Sequence, residues 1–449
     1  MRLVVYSSII ILYIISRFIE SPLLSYSIGI LAVLALLVSV RFAKGLYFVS
    51  GIVFLLIGIF LFFQSNLPWT ELLLNFETML GMLSLFLFLP FINSLIRVGG
   101  YDKSLSLFLD QGITKLKKLY TRSFFVTHLL GLFLNIATIP LLSRSLDRTL
   151  NQFPKLTIDK FKTQSLLRSY ALCLSWSPME IMVSISLDMT NNTYLAILPI
   201  LLFIAFLLMV IDLSFTSNRY QEEIAVTAFE MRESTTSRMK KKVSEMIILL
   251  IIFISAVSVL QNILNKGYLF SIVLLLLPIS IGWAILNRRT KRYFQITIPH
   301  WIERTNNLPN YFFMFLSAGF FVAMLTYSGH LAFLQKAFID SSKHSLLFFC
   351  LIALYFIVSA LIGFHPLVSI TLIAQLLQPI LPEVSSISLT LVLIASSVAT
   401  VMYSPYNLSL SILAEIIRVN PYRIGWWNIP FALLYMGIAI GIAYLLTFF

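Results

Sequence analysis

Two stretches of this chain, 227 residues apart, interrupt apolar runs with the same polar break. The first reads Ser175-Trp176-Ser177-Pro178-Met179-Glu180, with Ser184 following. The second reads Met402-Tyr403-Ser404-Pro405-Tyr406-Asn407, with Ser411 following. Upstream of each lies a second matched pair, Ile136-Ala137-Thr138-Ile139-Pro140-Leu141-Leu142-Ser143 and Ile362-Gly363-Phe364-His365-Pro366-Leu367-Val368-Ser369. The prolines stand 226 apart in the upstream pair and 227 apart in the downstream pair. Matched breaks in matched order imply an internal duplication.

Composition says what solvent those runs face. Hydrophobic residues make up 59% of the chain and charged residues 11%, roughly half the charge of a globular protein. A water-facing surface cannot be built from so few charges. Many apolar segments approach the ~20 residues that cross a bilayer, so the expected class is an all-α polytopic membrane protein. The N-terminal run from Leu3 to Ile19 is of spanning length and has no small-residue cleavage site, so no cleavable signal peptide is expected. The two cysteines, Cys173 and Cys350, lie in apolar segments and have neither a metal-ligand spacing nor a disulfide pattern. The net charge of +13 reads as a topology signal rather than a nucleic-acid footprint, because Lys and Arg gather on cytoplasmic loops.

Apolar segments fall near 3–18, 23–40, 46–64, 77–97, 123–143, 164–187, 193–215, 245–263, 268–286, 309–328, 345–377, 388–417 and 427–449. Threading all of them as plain crossings sets basic loops on opposite sides. Residues 97–122 and 144–168 flank segment 123–143, and both are rich in Lys and Arg. A re-entrant hairpin at 123–143, entering and leaving on the cytoplasmic side, keeps both flanks inside. The equivalent hairpin at 345–377 enters from outside. This threading gives about 11 transmembrane helices and puts 28 of the 32 Lys and Arg in the cytoplasm, leaving Arg17, Lys266, Lys336 and Lys343 outside. The N-terminus is then cytoplasmic. Helix-breaking Pro140 and Pro366 suit the hairpins, since backbone that leaves helical geometry at membrane depth must be buried in protein or line a wet cavity.

Four regions follow. Residues 1–76 are N-terminal spans. Residues 77–215 form a first repeat with hairpin 123–143 and broken helix 164–187. Residues 216–308 are a cytoplasmic linker with two connecting spans. Residues 309–449 form a second repeat with hairpin 345–377 and broken helix 388–417. The first repeat starts outside, after 65–76, which has no Lys or Arg. The second starts inside, after Arg288, Arg289, Lys291 and Arg292. The repeats are therefore expected to have inverted topology.

In a transporter of this plan the interruptions meet near the midplane and bind the solute. Exposed helix N-termini suit an anion, and unwound carbonyls suit a cation such as sodium. The candidate substrate-binding residues are Asn135, Thr138, Ser175, Ser177, Gly363, His365, Ser404 and Asn407. The candidate coupling-ion residues are Glu180, Ser177 and Ser404. Glu180 aligns with Asn407 and lies in an apolar setting, where a carboxylate is costly and usually functional. His365 sits beside Pro366 and suits either an anionic ligand or a structural hydrogen bond. Arg144, Arg148 and Arg168 suit either pairing with substrate or cytoplasmic anchoring, and anchoring is the favoured role for each. No cofactor is expected beyond a possible sodium ion, and no catalytic residue is assigned.

These breaks resemble those of the ion transporter superfamily, which includes divalent-anion/sodium symporters and the membrane subunit of tripartite ATP-independent periplasmic transporters. Ser177-Pro178-Met179-Glu180 is similar to the Thr-Pro-x-Glu break of the latter. Ser404-Pro405-Tyr406-Asn407 is similar to the Thr-Pro-x-Asn break of the dicarboxylate symporters. The resemblance covers roughly 77–449. The Ser-Asn-Thr motifs of the dicarboxylate carriers are absent; Asn135-Ile136-Ala137-Thr138 and Gly363-Phe364-His365 stand in their places. The resemblance implies a homodimer, a scaffold drawn from 1–97 and 245–328, and elevator-type transport of a small anion across a bacterial inner membrane. Membrane lipid is the other partner, and no nucleic acid is expected.

Two other readings remain open on the sequence. A flippase for a lipid-linked phosphate would use the same breaks for a bulkier anion. A membrane enzyme of envelope polysaccharide assembly would need a large external loop with catalytic residues, and the long polar loops here are basic and cytoplasmic.

Overall fold

A computed structural model describes residues 1–110, 112–224 and 233–448. Residues 225–232, in the linker region expected at 216–308, lie outside the described residues. Among those described there are helices and no strand. Among the described residues, eleven helical stretches are long and apolar enough to cross a membrane, from Pro22–Val40 to Pro421–Phe448. The chain is an all-α polytopic membrane protein. The individual stretches differ from the thirteen apolar segments of the sequence. Arg2–Ser16 is a shorter apolar helix. The run expected at 123–143 extends over Leu116–Leu150, interrupted at Asn135. A separate helix, Tyr101–Asp110, precedes it.

The chain divides into two compact units, and both draw on both halves of the sequence. One contains Met1–Ser94, Gln261–Lys343 and Leu367–Glu383. The other contains Leu95–Leu260, His344–Pro366 and Val384–Phe449. The division therefore cuts across the repeat boundaries at 77–215 and 309–449.

In the first unit, Gly45–Gln64 packs along Pro309–Tyr327. The contact depends on two glycines seven residues apart. A Cβ on Gly51 would lie 2.6 Å from the Phe313 ring, and one on Gly58 would lie 2.8 Å from the Phe320 ring. Glycine and phenylalanine thus share one seven-residue period, and small residues let the backbones approach as membrane helices require. Tyr6 stacks on Phe312 with centroids 3.9 Å apart, and its hydroxyl meets Ser39 Oγ at 2.7 Å. Outer faces stay apolar and bare: Leu23, Leu56 and Phe60 are 77%, 62% and 66% exposed. Such faces suit hydrocarbon, not water.

The second unit is built on two helical runs buried on every side. Every residue from Phe161 to Ser175 is buried, and so is every residue from Ser388 to Pro405. The first run passes through a π-helical turn at Thr163–Arg168, the kind of local widening often found at functional sites. Ser386–Tyr403 packs against Ser345–Ile362, Ile181–Thr190 and Pro421–Leu445. Its small residues, Ser388, Ala395, Ser396, Ser397 and Ala399, allow close approach on several faces. Leu116–Leu134 packs against Ser169–Leu174 in the first repeat, matching Ser345–Ile362 against Ser386–Tyr403 in the second.

Candidate functional site

Both breaks fold by the same local hydrogen bonds. Ser177 Oγ accepts from the Met179 N–H at 3.4 Å, and Ser404 Oγ accepts from the Tyr406 N–H at 3.3 Å. The Glu180 N–H donates to the Ser177 carbonyl at 3.2 Å, and the Asn407 N–H to the Ser404 carbonyl at 3.1 Å. Glu180 then caps Ile181–Thr190 by accepting from the Met182 N–H at 3.4 Å. Asn407 caps Leu408–Ile417 by accepting from the Ser409 N–H at 2.9 Å. These helices are each 10 residues long and end on left-handed residues, Asn191 at φ 54° and Arg418 at φ 55°. The next helices start at Tyr194 and Pro421. From Ser177 to Tyr194, breaks, caps and starts keep the 227-residue offset. The cause is local: a serine or carboxamide side chain offers the backbone a partner where proline removes one.

The upstream breaks are less alike. Leu116–Leu134 stops at Asn135, whose φ is 50°, and the chain restarts as Thr138–Leu150. Ser345–Ile362 stops at Gly363, whose φ is 116°, and restarts at Pro366–Leu377. Only glycine adopts the latter without strain. Asn135 tolerates its positive φ because its side chain bonds locally: Oδ1 accepts from the Ile136 N–H at 2.7 Å and from the Tyr170 hydroxyl at 2.6 Å.

All nine expected site residues lie in the second unit. Ser177, Glu180, Ser404 and Asn407 are buried, at 2%, 6%, 0% and 6% exposure. Thr138 is buried, and its hydroxyl has no hydrogen-bond partner. Ser143 on the same helix is in the same state. His365 and Gly363 are half-buried. Ser175 is buried, but its hydroxyl is spent on the Leu172 carbonyl at 2.7 Å. The second break meets the end of Ser345–Ile362: Ser404 Oγ lies 3.2 Å from the Ala360 carbonyl, and a Cβ on Gly363 would lie 3.6 Å from the Tyr406 ring. No hydrogen bond or ion pair among the described residues joins Ser177 or Glu180 to Ser404 or Asn407.

Glu180 also has no cationic partner among the described residues. The ion pairs among the described residues are Lys162–Asp147, Arg168–Asp212 and Lys242–Glu245. Its compensation is the helix N-terminus it caps. No cluster of three His, Cys, Asp or Glu exists among the described residues, so a metal there would be held by hydroxyl, carbonyl and carboxylate oxygen.

Arg168 corrects the sequence reading. It is no solvated anchor but 6% exposed, on the π-helical turn. Its Nη1 meets Asp212 Oδ1 at 2.6 Å and Thr216 Oγ1 at 3.0 Å. Its Nε donates to Asn428 Oδ1 at 3.0 Å, and Asn428 Nδ2 donates to the Met402 carbonyl at 3.3 Å. This chain of bonds links the first repeat to the backbone two residues ahead of Ser404. Asp212 was missed, although a lone carboxylate inside the apolar run 193–215 is itself a signal. His128 was missed as well: its Nε2 accepts from Trp176 Nε1 at 2.9 Å, tying Leu116–Leu134 to the first break. That pairing has no sequence signature.

No protein-family model matches the chain, and no curated protein matches it. Solved structures do share its fold. The chain is similar to the YdaH transporter of Alcanivorax borkumensis, with a TM-score of 0.58, 14% identity, and coverage of 89% of this chain and 98% of that one. It is also similar to MtrF of Neisseria gonorrhoeae, described as illuminating a class of antimetabolite efflux pumps, with a TM-score of 0.58, 12% identity, and coverage of 88% and 94%. Neither bears the name of the superfamily that the two breaks resemble. At these identities the likeness is one of fold: this chain shares the architecture of those two structures over nearly its whole length.

Proposed function

We propose that the protein is a secondary active transporter of a small anionic solute, driven by a sodium or proton gradient. The observation that carries this is a pair of equivalently built helix breaks, one capped by a buried carboxylate, Glu180, that no cation among the described residues neutralises. A structural carboxylate in a low-dielectric site is ordinarily paired. A coupling ion, sodium or proton, fills that role when it arrives. Likeness to two transporters supports the reading.

The caps divide the labour. Glu180 occupies the N-terminus of Ile181–Thr190 with negative charge and suits the cation, with the Ser177 hydroxyl beside it. Asn407 is neutral and leaves the N-terminus of Leu408–Ile417 free to attract an anion. The partnerless hydroxyls of Thr138 and Ser143 lie on Thr138–Leu150, which packs against Leu408–Ile417, and serve as donors to the same anion.

Elevator-type movement is the mechanism we favour, because one compact unit holds all nine residues and can carry the site as a body. Re-entrant hairpins belong to the same reading. Their second arms, Thr138–Leu150 and Pro366–Leu377, are 13 and 12 residues long, too short for a crossing that takes ~20. A cytoplasmic N-terminus, a bacterial inner-membrane location and a homodimer complete the proposal.

The test is uptake into proteoliposomes, screened over small anions with a sodium gradient, a proton gradient or neither. Glu180→Gln should abolish gradient-driven accumulation while sparing exchange. Ser404→Ala and Asn407→Ala should raise the solute KM. Uptake of every anion at the rate of empty liposomes, or an E180Q variant that accumulates solute normally, would defeat the proposal.

A further inference from the structure

A cavity of about 340 Å³ opens in the second unit, and neither break lines it. One wall is a helical face with residues four apart: Leu156, Lys160 and Gln164. Arg219, Tyr220 and Trp427 also line the cavity. Lys160 and Arg219 have no ion-pair partner among the described residues, and Glu222 is the single carboxylate in the lining. A third cation stands beside the wall: the Arg423 guanidinium lies 5.4 Å from the Trp427 ring, against 6.0 Å for the Lys160 ammonium. The cleft is cationic.

Its floor is polar and incompletely used. Gln164 is 6% exposed, and its carbonyl oxygen accepts from the Tyr220 hydroxyl at 2.8 Å. That is the one hydrogen bond of its side chain among the described residues, and Gln164 lines the cavity, so its amide nitrogen is left to donate there. A donor that faces the cavity and is not spent on the protein is available to a ligand oxygen. The edge of the cleft is apolar. Leu156 is 48% exposed, and Trp426, next to Trp427, is 73% exposed.

We infer that this cleft binds a phosphate group carried on an apolar tail, the headgroup of an anionic phospholipid. Lys and Arg match the phosphate oxygens by charge and by forked hydrogen bonds. Gln164 donates a further bond from below. Tryptophan and basic side chains together are what membrane proteins place at the headgroup level, and basic pockets there hold anionic lipid. A bare phosphate would leave Trp427 and Leu156 without a role. The occupant would also bear on the ion pair behind it, because Tyr220 stacks on Tyr120 with centroids 5.3 Å apart, and the Tyr120 hydroxyl donates to Asp212 at 2.6 Å. This site does not depend on the transport reading.

The experiment is native mass spectrometry of the purified full chain titrated with dihexanoyl phosphatidylglycerol, dihexanoyl phosphatidylcholine or inorganic phosphate. The wild type should hold phosphatidylglycerol in preference to phosphatidylcholine. Lys160→Gln with Arg219→Gln should weaken the phosphatidylglycerol adduct about thirtyfold, at roughly a fivefold loss for each basic residue near a membrane surface. Phosphatidylcholine binding should not change. Trp427→Ala should weaken the lipid adduct and leave the affinity for inorganic phosphate alone. Inorganic phosphate that displaces the lipid at equal concentration would assign the cleft to a free phosphate and overturn the lipid. Equal phosphatidylglycerol affinity in wild type and double variant, with unchanged melting temperatures, would overturn the site.

Discussion

Arg168 and Asp212 meet 2.6 Å apart, with side chains 7% and 0% exposed. Forty-four residues separate them in sequence, one on the π-helical turn and the other on Tyr194–Phe215. Both carboxylate oxygens are filled: Oδ1 by Arg168 and by the Thr216 hydroxyl at 2.9 Å, Oδ2 by the Tyr120 hydroxyl at 2.6 Å. The guanidinium in turn reaches Asn428 and the Trp427 carbonyl, and lies 4.9 Å from the Phe431 ring. A buried pair offsets its desolvation only when its remaining donors and acceptors are met in this way.

Breaking one side of that pair should therefore cost more than removing both. Asp212→Asn leaves a buried, unpaired guanidinium and should lower stability by about 3–5 kcal/mol. Arg168→Met combined with Asp212→Leu should recover much of the loss. Thermal unfolding in detergent reads both. A D212N variant that melts with the wild type would show that the charges are solvated.

At the second break, Asn407→Ala removes a cap and should destabilise Leu408–Ile417 by about 1 kcal/mol. Asn407→Asp keeps the acceptor for the Ser409 N–H and should hold the helix. Hydrogen exchange at Ser409 measures the difference. Equal protection in the alanine and aspartate variants would remove the cap from the account of this break.

In the first unit, Gly51→Leu and Gly58→Leu push side chains into the Phe313 and Phe320 rings. Each should cost about 1–3 kcal/mol by overpacking. Gly282→Ala is the control: a Cβ there meets nothing within 4 Å, and the variant should gain up to about 1 kcal/mol from helix propensity. Melting temperatures that fall equally in all three would mean that the glycines act through something other than close approach.

Topology is open to direct chemistry. Lys118 and Arg148 are exposed and lie near the two ends of the interrupted run Leu116–Leu150. With Cys350, the exposed native cysteine, replaced by serine, Lys118→Cys and Arg148→Cys should both react with an impermeant maleimide only in inside-out vesicles. Labelling from opposite sides would turn this run into a crossing and end the re-entrant reading.

The sequence by itself determined the solvent this chain needs and the shape of its two downstream breaks. Fifty-nine per cent hydrophobic residues and runs of spanning length leave no water-soluble alternative. Ser177, Glu180, Ser404 and Asn407 each accept from a backbone N–H two residues away, so that part of their geometry is written locally and repeats with the motif, whereas the bond from Ser404 to the Ala360 carbonyl is not. What the tertiary structure decided is who meets whom across long separations. Lys and Arg counts made Arg168 a loop anchor; folding buried it and chose Asp212 and Asn428, 44 and 260 residues away, as its partners. The phenylalanines that fill Gly51 and Gly58, and the wall of cations around Trp427, are likewise products of packing. A cap is a short-range bond that a motif specifies, whereas the partner of a buried charge depends on which helices the fold brings into contact.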